Sequence, residues 1–172
     1  MEHFSLPAIL DIEASGFGKG SYPIEIGVMT ETGKQHSWLV YPEDDWVHWK
    51  DEAEVLHGIS RERLFEEGLR PSVIADKLNE IFEGQILYSD GWGFDSGWLS
   101  LLYYVAGKKM FFKLETLPKI LSEYQLAHWD QTKAEIEKQR KLPDHRAGID
   151  ALLIQETYKK TFVSEQIESS NR

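Results

Sequence analysis

The sequence predicts a single α/β domain that is built on a mixed five-stranded sheet with helices on its flanks. Three strand patterns follow one another near the amino terminus, and strand patterns then alternate with helical patterns. Consecutive strands joined by tight turns pair antiparallel, whereas strands separated by helices pair parallel. With 172 residues, 41% of them hydrophobic, the chain can bury one substantial core. We place the domain at residues 1–162 and a polar, frayed tail at residues 163–172.

The first three strands are predicted to form an antiparallel meander. Residues 7–14 contain a run of apolar side chains, which indicates a buried central strand that enters a turn at Ser15-Gly16. Residues 24–30 and 35–41 are also predicted strands, and the segment Glu31-Thr32-Gly33-Lys34 between them is a plausible hairpin turn. The sheet is therefore expected to begin as three neighbouring strands.

The later elements alternate between helical and extended patterns. Helices are predicted where apolar residues recur at every third or fourth position, and strands where short apolar runs are bounded by turn residues. The first helical segment is expected to end at Gly68, just before Pro71. In chain order, the predictions are a helical segment at 44–68, a helix at 72–82, a strand at 85–89, a helix at 94–105, a strand at 110–114, helical segments at 117–124 and 134–140, and a final helix at 146–158.

Composition and charge narrow the class of protein. The chain contains no cysteine, so any metal would be held by oxygen and imidazole ligands. The formal net charge of −10 argues against a large basic surface for duplex nucleic acid, but a small substrate could still be held through metal ions. No apolar run is long enough to span a membrane, and residues 1–4 lack the basic and apolar regions of a signal peptide. We therefore expect a cytoplasmic protein with no membrane partner.

Three short blocks carry residues that suit one chemistry: Asp11-Ile12-Glu13, Phe94-Asp95 and His145-Arg146-Ala147-Gly148-Ile149-Asp150. In a strand, residues two apart point to the same face, so Asp11 and Glu13 project side by side. The step from His145 to Asp150 places these two residues on neighbouring faces at the start of a helix. Together the blocks supply four carboxylates and one imidazole, a set that suits two-metal hydrolysis of a phosphodiester bond.

Each block also has an ordinary structural interpretation. Asp11 and Glu13 could be solvated acids at a strand end, although the apolar run before them indicates a central strand, where unpaired charge is costly. Asp95 could be a helix cap, because aspartate is common at helix N-termini. Asp90 competes with Asp95 as a ligand, but it lies in the preceding turn without the adjoining Phe that would anchor it. A lone His near a helix start, such as His145, is usually a surface residue.

The same blocks, in this order, resemble the motifs of the DEDDh family of 3′–5′ exonucleases, which includes polymerase proofreading subunits, ribonuclease T and oligoribonuclease. Residues 11–17, Asp-Ile-Glu-Ala-Ser-Gly-Phe, resemble the first motif, D-x-E-T-T-G-[LF]. Phe94-Asp95 resembles the second motif, and residues 145–151 resemble the third, H-x-A-x-x-D-A. Two further segments, Leu56-His57-Gly58-Ile59-Ser60 and Ile24-Glu25-Ile26-Gly27, also resemble the family, so the resemblance covers nearly the whole chain.

This resemblance implies a ribonuclease H-like fold and a metal-dependent 3′–5′ exonuclease. Such an enzyme releases nucleoside monophosphates from the 3′ end of single-stranded or short nucleic acids. The resemblance assigns two Mg²⁺ or Mn²⁺ ions to the four carboxylates, namely Asp11, Glu13, Asp95 and Asp150. It also implies that His145 takes the proton of the attacking water, a role that suits imidazoles because they titrate near neutral pH.

The resemblance further implies contacts with a nucleic acid substrate. The backbone at Ala14, Ser15 and Gly16 would approach the terminal nucleotide, because Ala-Ser in place of the usual Thr-Thr leaves the N–H groups available. Phe17 would pack against the base, or alternatively belong to the core, and His57 would line the same pocket. Several relatives are homodimers, so a homodimer is a further expectation. No residue reveals a contact with a 2′-OH, which leaves the choice between DNA and RNA open.

The sequence also departs from the family pattern. Many members carry His-Asn shortly before the second motif, where Asp90-Gly91 stands here, so the substrate contacts at that point are open. Two other function classes are a nucleic-acid or nucleotide-binding module that has lost catalysis and an integrase-like endonuclease, which would not need His145. Trp46, Trp49 and Trp92 lie at predicted loops, where they either stack on bases or cover an edge of the core.

Overall fold

A mixed five-stranded sheet organises the chain. The computed structural model describes residues 5–143 and 145–172. The strands are β1 (Ala8–Ala14), β2 (Pro23–Met29), β3 (Gln35–Leu39), β4 (Ile86–Ser89) and β5 (Lys113–Thr116). Their order in the sheet is β3-β2-β1-β4-β5, with antiparallel pairing up to β1 and parallel pairing of β4 with both β1 and β5. This arrangement confirms the predicted meander followed by parallel strands.

Six α-helices and one short 3₁₀ helix accompany the sheet within the described residues. The α-helices are α1 (Asp51–His57), α2 (Arg61–Glu67), α3 (Pro71–Phe82), α4 (Trp92–Ala106), α5 (Glu123–Arg140) and α6 (Ala147–Ser170). The 3₁₀ helix spans Leu117–Ile120, directly after β5. Helix α6 packs on β1 and β2, α5 packs against α6, and α3 packs against α4. The helices therefore flank the sheet, as the sequence predicts.

The segment predicted as one helical stretch at 44–68 contains two short helices. Helix α1 ends because Gly58 adopts the left-handed conformation, with φ 68°, and its N–H donates to the carbonyl of Glu54. Helix α2 begins after Ser60, whose hydroxyl accepts a hydrogen bond from the N–H of Arg63. Gly68 follows the end of α2, as predicted. The turn between the helices places α1 next to the first motif.

The fifth strand begins later than predicted, at Lys113 rather than residue 110. The pairing with β4 explains this later start. The first residue of β4, Ile86, pairs with Lys113, so residues 110–112 lie beyond the end of β4. Phe112 instead packs into the core against Phe82 and Tyr103.

The carboxy-terminal half is more helical than predicted. The segments 117–124 and 134–140 become the 3₁₀ helix and one continuous α5, which starts with a capping box formed by Ser122 and Gln125. Helix α6 extends to Ser170, so most of the predicted polar tail is helical. Packing of α6 against α5 supports this extension, because the Ser122 hydroxyl donates to Glu165 and the Tyr124 hydroxyl donates to Glu168.

The core fills both faces of the sheet and determines where the acidic residues of β1 point. Leu10 and Ile12 join the larger apolar cluster, which includes residues of α3 and α4, whereas Ile9 joins a second cluster with residues of α6. Because residues two apart share a face, Asp11 and Glu13 follow Ile9 on the face that α6 covers. The alternation of β1 thus directs both carboxylates toward the helix that carries Asp150.

Small residues let the start of α6 lie close to the sheet. A Cβ at Gly27 of β2 would lie 2.1 Å from the carbonyl carbon of Ala147, so a side chain at this position would clash with the α6 backbone. A Cβ at Gly148 would meet the Gln35 side chain at 2.9 Å and Ser37 Cβ at 3.0 Å. The glycine of the Ile24-Glu25-Ile26-Gly27 segment therefore fixes the distance between α6 and β2.

Within residues 5–143 and 145–172, no helix is both long enough and apolar enough to cross a membrane. One sequence-based expectation, the absence of signal-peptide character at residues 1–4, falls outside the described residues.

Candidate active site

Asp11 and Glu13 lie near the carboxyl end of the central strand β1. Because β1 and β4 run parallel, their carboxyl ends meet at the same edge of the sheet, which is the usual place for a ligand in sheets of this kind. The regular pairing of β1 with β2 shifts between Glu13 and Ala14. This irregularity bends the chain directly after the two carboxylates.

Asp95 reaches the same edge from the first turn of α4. Asp95 is 4% exposed, and its Oδ2 accepts a 2.6 Å hydrogen bond from the Ser89 hydroxyl at the end of β4. The backbone of Ile12 in β1 also hydrogen-bonds to this carboxylate. The interpretation of Asp95 as a helix cap is wrong, because Gly91 is the N-cap of α4 and no side chain caps that end.

Asp150 and His145 approach Glu13 from the start of α6. One donor atom from each of Glu13, His145 and Asp150 lies within 4.8 Å of the other two. Glu13 and Asp150 are close enough that each carboxyl group changes the pKa of the other. His145 is exposed and has a positive φ of 58°. The five residues of the three sequence blocks thus meet at one edge of the sheet.

Burial is the largest cause of a raised pKa at each of the four carboxyl groups. It raises the pKa of Asp11 well above its usual range, and the charges of Asp95, Asp150 and Glu13 raise it further. The pKa rises to about 9 for Glu13, to about 7 for Asp95 and to about 6 for Asp150. Among the described residues, the buried Oδ2 of Asp11 has no hydrogen-bond partner. Hard oxygen donors that repel one another fit Mg²⁺ or Mn²⁺.

The raised pKa values predict that the metal-free protein loses stability as pH rises. Each carboxyl group binds its proton more tightly in the folded chain, so its stabilising contribution is complete below about pH 4 and is lost as pH rises through the folded pKa. For Asp150, Asp95 and Glu13 those folded pKa values run from about 6 to about 9. In chelator, we expect the melting temperature of the wild type to fall over this range more steeply than that of Glu13→Gln. Equal slopes for the two proteins would contradict the prediction.

Asp90 lies beside the four carboxylates but has a different environment. Its side chain is 35% exposed, and its Oδ2 lies 3.7 Å from Nζ of Lys133 on α5. Its negative charge contributes to the raised pKa of Asp11, Asp95 and Asp150. Asp90 is therefore a neighbour of the four carboxylates that is already paired with a lysine.

Asp95, rather than Asp90, is predicted to be the third acidic metal ligand. We expect Asp95→Asn to abolish hydrolysis and weaken Mn²⁺ binding, because Ser89 and the Ile12 backbone hold the Asp95 carboxylate in place beside β1. Asp90→Asn should stay within about tenfold of wild-type activity, as expected for loss of a partly exposed ion pair. Calorimetry with Mn²⁺ and single-turnover rates measure both effects. An inactive Asp90→Asn beside an active Asp95→Asn would show that the second motif is misplaced.

A buried ion pair that sequence analysis missed fixes the start of α6. The Glu25 carboxylate of β2 accepts hydrogen bonds from Nε of Arg146 at 3.1 Å and from Nη2 at 2.6 Å. Its Oε1 also accepts from the backbone N–H of Ala147 at 2.7 Å. The side chain of Glu25 is only 3% exposed. This contact joins β2 to the residue next to His145, so it positions the helix start that carries the proposed base.

Loss of Glu25 is predicted to destabilise the fold. Glu25→Ala leaves the Arg146 guanidinium and the Ala147 N–H without their acceptor, and we expect the free energy of unfolding to fall by about 3 kcal/mol. Glu135→Ala is the matched control, because it breaks an exposed pair with Lys160 and should cost about 0.5 kcal/mol or less. Urea denaturation measures both values. Equal losses for the two variants would contradict this role of Glu25.

An apolar cavity of about 270 Å³ opens beside Glu13 and His145. Its walls come from the first motif, α1 and α4, and include Ala14, Gly16, Phe17, Leu56, His57 and Trp98. Four of the five residues predicted to contact substrate therefore line one cavity, which adjoins the carboxylates.

Phe17, which lines this cavity, and Phe94, which contacts Phe17, are both exposed aromatic residues. Phe17 is 65% exposed and contacts Phe94 edge to face, with ring centroids 4.9 Å apart. Phe94 is 59% exposed and stacks on Trp98 at 5.8 Å. The core interpretation of Phe17 is therefore wrong. Phe94, the residue expected to anchor Asp95, is exposed as well, and the observed side-chain contact of Asp95 is the hydrogen bond from Ser89.

His57 presents a polar atom without a partner. The residue is 5% exposed, and its Nδ1 accepts a 3.0 Å hydrogen bond from the N–H of Ile59. A neutral ring that accepts at Nδ1 carries its proton on Nε2. This buried Nε2 has no hydrogen-bond partner among the described residues, and burial is the main cause that lowers the pKa of His57.

Ser15 differs from its predicted role. It is fully buried, and its N–H, which was expected to be available to substrate, donates to the carbonyl of Tyr22 at 3.0 Å. Its hydroxyl accepts from the N–H of Tyr22 at 3.1 Å and lies 2.8 Å from Nδ1 of His48. Ser15 therefore stabilises the turn after β1. Its N–H is engaged within the protein, although it was expected to face the substrate.

The three tryptophans in predicted loops have different surroundings. Trp46 is 6% exposed and stacks on Tyr22 at 5.1 Å, so it belongs to the core. Trp49 packs against the edge of the core and contacts His57. Trp92 is 45% exposed and donates its indole N–H to the carbonyl of Leu114.

Solved structures with a similar fold include those of E. coli exonuclease I. The chain matches the complex with a dA16 oligonucleotide at a TM-score of 0.56 and 13% identity, over 77% of this chain and 30% of that chain. It matches the complex with a 5cy-dA13 oligonucleotide at a TM-score of 0.63 and 13% identity, over 92% and 41% of the two chains. The zinc-bound form of the E. coli exonuclease I–ssDNA complex matches at a TM-score of 0.56 and 13% identity, over 77% of this chain and 31% of that chain. The chain has the fold of exonuclease I.

This likeness confirms the predicted ribonuclease H-like architecture with its five-stranded mixed sheet. The chain spans about a third of the length of the exonuclease I chains that it matches. No protein-family model and no curated protein matches the chain.

Proposed function

We propose that the protein is a metal-dependent 3′–5′ exonuclease of the DEDDh type, which releases nucleoside monophosphates from single-stranded or short nucleic acids. The observation that carries the proposal is the convergence of four carboxylates and one imidazole at the edge of the sheet, namely Asp11, Glu13, Asp95, Asp150 and His145. The order of the three sequence motifs and the exonuclease I fold support the same assignment.

The four carboxylates would hold two divalent cations, Mg²⁺ or Mn²⁺. Such cations stabilise negative charge on the reacting phosphate and lower the pKa of a water molecule. The unpartnered Oδ2 of Asp11 is available as a ligand, and Glu13, whose pKa is raised to about 9, would release its proton when the cations bind. Metal binding is therefore expected to strengthen as pH rises.

His145 would accept the proton of the attacking water. It lines the apolar cavity and also lies beside Glu13 and Asp150, so it can reach the boundary between the nucleotide and the carboxylates. The ion pair between Glu25 and Arg146 holds the backbone directly after His145. The backbone that carries His145 is therefore held in place while its ring stays exposed, an arrangement that suits general base catalysis.

The apolar cavity would bind the 3′-terminal nucleotide. Phe17 would stack on the base, and stacking of this kind contributes about 1–3 kcal/mol without requiring one particular base. Nε2–H of His57 would donate to an oxygen of the same nucleotide, which would satisfy a donor that is otherwise buried without a partner. The cavity thus supports binding of a single unpaired nucleotide next to the carboxylates.

The decisive experiment compares 5′-labelled single-stranded RNA, single-stranded DNA and duplex DNA, each with Mg²⁺, Mn²⁺ or chelator. We expect a ladder of products that shorten from the 3′ end with either metal and no products in chelator. A circular single strand should remain intact. Cleavage of the circle would indicate the integrase-like endonuclease instead, and binding without cleavage of any substrate would indicate the inactive module.

A further inference from the structure

A second, polar cavity of about 220 Å³ lies next to the carboxylates. It shares only His145 with the apolar cavity among the described lining residues, so the two cavities meet at the proposed base. The walls of the polar cavity include Asp11 and Asp150 from the candidate metal site, and Asp90 and Glu137 add further negative charge. Lys133 is the only lysine or arginine among the described residues that line it.

Lys133 occupies a defined position on α5. Its side chain is 33% exposed, and its Nζ lies 3.7 Å from Oδ2 of Asp90. The capping box at Ser122 fixes the start of α5, and the helix packs along α6, which carries Asp150. The lysine is therefore held against the acidic edge of the sheet by a helix that is itself anchored.

The ion pair with Asp90 does not by itself explain a lysine at this position. A partly exposed pair at 3.7 Å contributes about 0–1 kcal/mol. Four carboxylates and two divalent cations would cancel in charge, and Asp90 and Glu137 make the cavity negative, so each phosphate that enters it would bring further negative charge without compensation. An ammonium group at the wall of the cavity supplies that compensation as a point charge, which is how lysine binds phosphate.

We infer that Lys133 contacts a phosphate of the substrate within the polar cavity, and that it leaves Asp90 to do so. This inference rests on the proposed function and adds a substrate contact that no sequence motif indicates. The contact reads neither base nor sugar, so it should act equally on RNA and DNA. Asp90, which stands where many family members carry the His of His-Asn, would hold the lysine in place when no substrate is bound.

The test uses the full chain and three variants: Lys133→Met, Lys133→Arg and the control Lys138→Met, which removes an exposed lysine of the same helix. Calorimetry with Mn²⁺ compares uridine 5′-monophosphate with uridine. We expect Lys133→Met to weaken binding of the monophosphate about tenfold while uridine binding stays within about twofold, since one charge-assisted contact is lost. Lys133→Arg should restore most of the affinity, and Lys138→Met should match the wild type.

Salt dependence gives a second readout. For binding of a single-stranded oligonucleotide, the slope of log K against log salt should be about 0.7 less negative in Lys133→Met than in the wild type. The slope of Lys138→Met should equal that of the wild type. If Lys133→Met keeps the wild-type slope and monophosphate affinity, or weakens uridine and the monophosphate equally, the inference is wrong while wild-type cleavage still supports the proposed function. A wild type that neither binds nor cleaves oligonucleotides would overturn the proposed function and this inference together.

Discussion

Asp11→Asn is expected to lose hydrolysis by more than about 10³-fold. Removal of one hydrogen-bond donor to a transition-state charge already costs about 10²–10³-fold, and Asp11 would serve the cations that stabilise that charge. The variant should nevertheless fold, and in chelator it should melt at a higher temperature than the wild type. The reason is that burial makes the Asp11 carboxylate costly to ionise and the charges of Asp95, Asp150 and Glu13 raise this cost further, whereas asparagine carries no charge.

Two measurements check this prediction: single-turnover rates with saturating Mn²⁺ and thermal melts in chelator. Asp150→Asn should behave in the same way, because Asp150 belongs to the same cluster. Asp130→Asn is the matched control, since Asp130 is exposed on α5. Near-wild-type activity of Asp11→Asn or Asp150→Asn would remove that residue from the metal site. A lower metal-free melting temperature would contradict the repulsion argument.

His145→Ala is expected to lower the single-turnover rate by about 10²–10⁴-fold, the range that a positioned general base contributes. Mn²⁺ affinity should change little, because His145 is proposed as a base and not as a ligand. This measurement is needed because a ring nitrogen of His145 lies within 4.8 Å of Glu13 and Asp150 oxygens. At that distance His145 could also share a metal ion with the two carboxylates.

Calorimetry with Mn²⁺ separates the two roles of His145. Loss of Mn²⁺ binding together with activity would make His145 a ligand, and an unchanged rate would remove it from catalysis. His128→Ala serves as the control, because His128 is exposed on α5 and its Nδ1 lies 2.8 Å from the Tyr124 carbonyl.

The acidic positions could be predicted from sequence because they depend on local geometry. The Asp11-Ile12-Glu13 spacing fixes two carboxylates on one face of a strand, and the apolar run before them identifies that strand as central. Asp95 and Asp150 lie in the first turns of helices that follow turn signals. The sheet order follows from the same patterns of strands and helices.

Contacts between distant segments could not be predicted in the same way. Glu25 and Arg146 are separated by most of the chain, and the only sequence signal was a charged residue within the apolar strand β2. The extension of α6 depends on polar residues that pair with α5, so composition alone suggested a tail. The contact of the exposed Phe94 with Phe17 is another of this kind, because the two residues lie far apart in the sequence.

The most direct test of the central claim is a crystal structure of the protein with Mn²⁺ and a nucleoside 5′-monophosphate, with anomalous scattering used to locate the metal. We predict two Mn²⁺ ions about 3.5–4 Å apart, held by Asp11, Glu13, Asp95 and Asp150. The nucleotide phosphate should contact both ions, and its base should lie against Phe17. Absence of Mn²⁺ from these carboxylates, or a single ion that takes His145 as a ligand, would contradict the two-metal mechanism with a histidine base.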